Sequence, residues 1–319
     1  MKKLGIALGS GAARGWAHIG VLEALIEGGL SPEIVTGTSI GSIIGAVYAC
    51  DRLPEIKEVA LSLDVKTMLY EFVDMGGRSG MIDGGKVTEF IRSHIKEAQI
   101  EDLGRPFACV AADVLTGEAF IFKKGDLINA IRCSISIPGI FTPIYFKDRV
   151  LVDGGVVNPV PVDVARKMGA DVVIAVDINE GFLECGSKSV PKNYLDRIKA
   201  KTEQSRKDRF GWVEKIQTKV AEMTPDDLGA MKRWLAPDPI PNMFDVLGNS
   251  LRIMEKQITD NMLRLHPADV VIRPAVGGIE IFEFNRAEEA IQAGYEAGQA
   301  ALPAILESMH SDSERGATT

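Results

Sequence analysis

Twice near its start the chain repeats one series of events: a short apolar stretch, a turn containing glycine, then a helical spacing of apolar side chains. "LGIAL" breaks at Gly9 and gives way to a helix from about Arg14, whose Ile19, Leu22, Leu25 and Ile26 share a face. "EIV" leads to Gly37 and to a second helix from about Ile40. A strand followed by a helix, repeated, calls for parallel strands, because only a crossover connection returns the chain to a parallel neighbour. Further strands are expected at 107–112, 119–122, 150–152, 172–176 and in "DVVIRP", and helices at 53–62, 86–96, 126–133 and 285–307. The pattern predicts an α/β fold with a mostly parallel central sheet flanked by helices.

At 319 residues and 46% hydrophobic composition, the chain is long enough to bury a substantial core. Its net charge of -8 argues against nucleic acid as a partner, since neutralising phosphates needs a basic surface. The opening "MKKLGIALGSGAARG" is too glycine-broken for a leader, and nothing later is long and apolar enough to span a bilayer, so a cytoplasmic chain is expected. Cys50, Cys109, Cys133 and Cys185 lack metal-site spacing and are expected to be reduced thiols; no metal or cofactor is called for. Between Lys188 and Lys219, ten Lys or Arg face four Asp or Glu. This basic stretch, with Phe210 and Trp212, suits either a solvated insertion or peripheral contact with an anionic membrane. Oligomeric state leaves no mark in the sequence.

Three segments carry candidate chemistry. In "LGSGAARGWAHIGVLEAL" a glycine-containing turn between strand and helix aims backbone N–H groups at an anion. A dinucleotide fingerprint would need a third glycine where Arg14 stands, and a P-loop would need a closing Lys-Ser/Thr, so nucleotide binding is a minor alternative. In "GTSIG", Ser39 lies between Gly37 and Gly41, the spacing of a nucleophile elbow; the bland alternative is a serine that caps the helix beginning at Ile40. In "VLVDGGVVNPVPV" a strand ends at Asp153, followed by Gly154 and Gly155, and here a turn aspartate is the alternative.

The four histidines limit how these pieces can combine. His94, His266 and His310 sit on or beside helices and in the tail, none after a late strand, and His18 is expected to pack within its helix. A two-residue Ser39–Asp153 arrangement fits better than a triad.

These residues resemble the patatin-like phospholipases, in the bacterial branch similar to the catalytic domain of neuropathy target esterase. "LGSGAARGWAHIGVLEAL", "GTSIG", "SISIPGIFTPI" and "DGGVVNPVPV" stand in that family's order. The resemblance implies a patatin-like three-layer sandwich, with a catalytic core at 4–177, a largely helical basic insertion or lid at 178–265, a strand and helix at 266–307 completing the same domain, and a frayed tail at 308–319. It implies a serine esterase acting on lipid or lysophospholipid esters, with Ser39 as nucleophile and Asp153 as base. It places the oxyanion hole at the backbone N–H groups of Gly11 and Ala12. Gly9, Ser10, Arg14, Gly15, Gly37, Gly41, Gly154 and Gly155 support the motifs. Ser10 and Ala12 stand where the family usually has glycine; both keep an N–H, but Ala12 is strained if the loop requires positive φ. A non-catalytic protein on the same fold is the alternative this departure raises.

Overall fold

The computed structural model describes residues 2–63, 80–95, 99–180 and 243–311. The strands are β1 (Leu4–Leu8), β2 (Ile34–Thr38), β3 (Gly80–Ile82), β4 (Phe107–Asp113), β5 (Ala119–Phe122), β6 (Gly139–Phe141), β7 (Ile144–Phe146), β8 (Arg149–Asp153), β9 (Val172–Val176) and β10 (Val270–Ile272). The helices are α1 (Ala17–Glu27), α2 (Ile40–Ala49), α3 (Leu53–Ser62), α4 (Gly85–His94), α5 (Leu127–Ser134), α6 (Val162–Lys167), α7 (Met243–Leu265) and α8 (Ala287–His310).

The main sheet has eight strands in the order β10-β9-β1-β2-β4-β8-β7, with β5 also paired to β4. From β10 to β4 every pairing is parallel. β5, β8 and β7 join antiparallel, and β3 and β6 make a separate two-stranded sheet. Strands β1, β2, β4 and β9 are buried along their whole length, as expected of parallel strands covered on both faces. Side chains alternate between two cores: Ile6 and Leu8 pack with Leu22, Leu25 and Ile44 on one face, while Ala7 packs with Val162 and Ala165 on the other.

The sheet's antiparallel edge has a consequence for the site. At Cys109 and Val110, β4 pairs with both β2 and β5, so those two strands lie on opposite edges of β4. At Ala111 and Ala112 it pairs with β5 and β8. Strand β8 must therefore occupy the same edge as β2, running toward it from the opposite end. Thr38 pairs with Val110 and Asp153 with Ala111, so the two strands meet end to end along one lane.

Expected helices 53–62 and strands 119–122 and 172–176 have those bounds, and Asp126 accepts a hydrogen bond from Asn129 N at 2.7 Å as the cap of α5. The first helix begins at Ala17 rather than Arg14, because the chain from Ala12 to Trp16 winds as a tighter 3-10 turn. The fall-off in pattern at 186–209 and the helical face around Trp212 lie outside the described residues. The chain divides into two compact units, Met1–Cys185 with Arg252–Thr319, and Gly186–Leu251. Of the second unit, only the opening residues of α7 are described. Among the described residues no helix is long and apolar enough to cross a membrane. Cys109 and Cys133 are buried free thiols, and Cys50 is half-buried.

Candidate active site

Ser39 is the residue between β2 and α2, and its backbone is held at φ 57 and ψ -126. That region suits glycine, and a side-chain-bearing residue there is strained. Two glycines make the turn sterically feasible: a β-carbon on Gly37 would come within 2.2 Å of Gly41 O, and one on Gly41 within 2.2 Å of Leu8 O. The Ser39 side chain makes no capping hydrogen bond to α2. Its Oγ donates instead to Asp153 Oδ2 at 2.5 Å, and both residues are buried.

The meeting of β2 and β8 on one edge of β4 brings this pair together. Ser134, at the end of α5, braces the junction by accepting from Ser39 N at 3.0 Å and donating to Val110 O at 2.6 Å. Gly155 N donates to Asp153 Oδ1 at 2.7 Å, which turns Oδ2 toward the serine. Burial is the main cause that raises the Asp153 pKa to about 7; the nearby Glu255 carboxylate adds to it, and the bonds from Ser39 and Gly155 oppose it. An aspartate raised this far is a competent base near neutral pH.

The glycine turn packs directly on the elbow, since a β-carbon on Gly15 would lie 2.2 Å from Ile40 Cγ1. It is pinned by Gly9 N donating to Val176 O at 3.0 Å and Ser10 N donating to Pro159 O at 2.9 Å. The next two N–H groups, of Gly11 and Ala12, make no hydrogen bond among the described residues, although the turn is largely enclosed. Unpaired backbone donors in such a place are expected to serve a ligand or a transient charge. Ala12 has φ 50, the strained conformation its departure from glycine puts at stake. Arg14 is buried and folds back, its Nε donating to Gly11 O at 3.1 Å. It thus fastens the turn from within and lies where a nucleotide fingerprint would have glycine.

The third motif cross-links the other two. Thr38 Oγ1 donates to Asn158 O at 2.9 Å and Thr36 Oγ1 to Pro161 O at 3.1 Å, while Pro159 O holds Ser10. Gly154 lies against Val110 O, where a β-carbon would come within 2.3 Å. His18 lies apart from the Ser39–Asp153 pair: its Nε2 is 2.8 Å from Gly9 O, and because a carbonyl only accepts, that nitrogen carries the proton. Burial pushes its pKa down to about 4, so it is a neutral core histidine that holds the glycine turn.

Three contributors have little signal in the sequence. Ser134 lies within "SISIPGIF" but looks like any small helical residue. Asn179, after β9, donates from Nδ2 to Ser10 O and to Glu255 Oε2, each at 3.2 Å. Glu255 is one of many charged residues on α7. Among the described residues no group of three or more His, Cys, Asp or Glu is arranged to hold a metal.

With this geometry in view, comparison with known proteins is specific. The family model for patatin-like phospholipase matches residues 6–166, which include the glycine turn, the elbow and the Asp153 segment. A protein of Mycobacterium tuberculosis named as an uncharacterized NTE family protein is 31% identical over 331 residues, 95% of this chain and 92% of the relative. A second from the same organism, also named as an NTE family protein, is 29% identical over 95% of this chain and 47% of its own length. The mouse patatin-like phospholipase domain-containing protein 6 is 38% identical over 183 residues, 55% of this chain and 13% of the mouse protein. The chain belongs to the patatin-like phospholipase family.

Proposed function

We propose that the chain is a serine esterase that hydrolyses lipid acyl esters of the phospholipid or lysophospholipid class. The observation that carries the reading is Ser39 itself: a serine in a glycine-favouring conformation whose hydroxyl meets a buried carboxylate at 2.5 Å instead of capping its helix.

The chemistry follows from that pair. Ionised Asp153 takes the Ser39 hydroxyl proton as Oγ attacks the ester carbonyl, and the new oxyanion is received by the N–H groups of Gly11 and Ala12. The carbonyl re-forms, the C–O bond to the alcohol breaks, and protonated Asp153 returns its proton to the leaving alkoxide. Water then attacks the acyl-serine with Asp153 again as base, releasing the fatty acid and restoring the hydroxyl. The substrate class rests on the family, whose mouse relative is named for a phospholipase domain. On the same footing, 178–265 is proposed as a lid or insertion, and the basic stretch 188–219 as a peripheral membrane contact in a cytoplasmic protein.

Covalent labelling tests the nucleophile without knowledge of the physiological ester. A fluorophosphonate forms a P–O bond to an activated serine and expels fluoride. Mass spectrometry of the labelled protein is expected to place the adduct on Ser39 and to find none in Ser39→Ala. An adduct confined to another residue, or none at all, overturns the reading.

A further inference from the structure

Glu255, on α7, belongs to no motif of the sequence, yet its carboxylate lies beside the dyad. A β-carbon on Gly155 would come within 2.2 Å of Glu255 Oε1 and 3.1 Å of Asp153 Oδ1, so both oxygens border the same point. Its other oxygen, Oε2, accepts from Asn179 Nδ2 at 3.2 Å, and that amide also donates to Ser10 O in the glycine turn at 3.2 Å. One carboxylate therefore touches the neighbourhood of the base on one side and the scaffold of the oxyanion turn on the other. Two cations also act on it, Arg14 from the turn and Arg252 one helical turn earlier on α7. Arg14 in turn feels Asp177, at the end of β9, and Glu280.

We propose that Glu255 is a positioning residue of the esterase site, holding the oxyanion turn through Asn179 and acting on Asp153 as a neighbouring like charge. The proposal rests on the esterase reading and adds to it a second carboxylate. Two carboxylates bordering one point resist ionising together, so the presence of one makes the other hold its proton more tightly. Burial is the largest influence keeping the Glu255 carboxyl above the usual range, with Arg14, Ser10, Asn179 and Arg252 pulling it down. Arg14 and Arg252 keep the charge of Glu255 tolerable in an enclosed place. Removing that charge has one sign: Asp153 becomes a weaker base that ionises at lower pH.

The test is Glu255→Gln in the full chain, which keeps the size and an amide oxygen able to accept from Asn179. Its acid limb of kcat/KM for a soluble p-nitrophenyl ester is expected to move down by about one pH unit relative to wild type. Glu255→Asp is expected to restore the limb toward its wild-type position. A merely structural role would lower activity at every pH and leave the limb in place, and that result overturns the proposal. Independently of turnover, 13C-carboxyl NMR of aspartate-labelled protein, with Asp153→Asn for assignment, follows the Asp153 titration directly. A downward shift in Glu255→Gln supports the pairing, and an unchanged midpoint sinks it. Loss of Ser39 labelling in wild type with the NMR shift intact would instead refute the esterase reading and leave the pairing standing.

Discussion

A serine at φ 57 and ψ -126 is costly unless the surroundings impose it. Here Gly37 and Gly41 permit the turn, Ser134 holds its N–H, and Ser42 Oγ donates to its carbonyl at 2.6 Å. The cost is separable from the chemistry. Ser39→Ala keeps the strained side-chain-bearing residue, whereas Ser39→Gly removes the strain at the expense of a more flexible unfolded chain. Strain of roughly 1–3 kcal/mol set against that flexibility leaves Ser39→Gly more stable than Ser39→Ala by about 1 kcal/mol in urea unfolding. Equal stability of the two variants would mean that the elbow is not strained. Ala12 at φ 50 is the same device in the glycine turn, where the N–H groups of Gly11 and Ala12 make no hydrogen bond among the described residues.

Elements position these residues by packing backbone close to backbone. Helices α1 and α8 cross where Gly20 faces Ile291 O and Gly294 faces Ala17 O; β-carbons there would lie at 1.9 Å and 2.0 Å. Helix α1 carries His18, which holds Gly9, so this crossing also steadies the glycine turn. Gly294→Ala must push the helices apart and is expected to destabilise the protein by about 2–3 kcal/mol, read as a lower urea midpoint. A midpoint within error of wild type would contradict the packing. At this scale the sequence was informative in part. The mostly parallel sheet and the helix at Leu53–Ser62 were legible because hydrophobic period and turn residues are local signals. The arrival of β8 on the edge of β4 that β2 already uses was not, since edge choice depends on pairing between distant segments. Asp153 could be picked out as the end of a strand, but not the reason it meets Ser39. Glu255 and Asn179 were silent for a similar reason: a charged residue on an amphipathic helix and a polar residue after a strand look the same wherever they land.

For the molecule as a whole, the three motifs are tied into one site. The glycine turn after β1, the elbow after β2 and the end of β8 come from three separate stretches, and the carbonyls of Asn158, Pro159 and Pro161 fasten them to one another. The enclosure that results is what raises Asp153 to about 7. In the proposed mechanism only the ionised carboxylate accepts the serine proton, so activity is expected above that pH and is lost as the pH falls through it. The most direct measurement is kcat/KM for a short-chain p-nitrophenyl ester across pH, for wild type, Ser39→Ala and Asp153→Asn, with folding checked by circular dichroism. The wild-type profile is expected to have its acid limb near 7, and each folded variant to lose about a thousandfold or more. A folded Ser39→Ala that turns over the ester as fast as an active wild type would contradict the proposed mechanism.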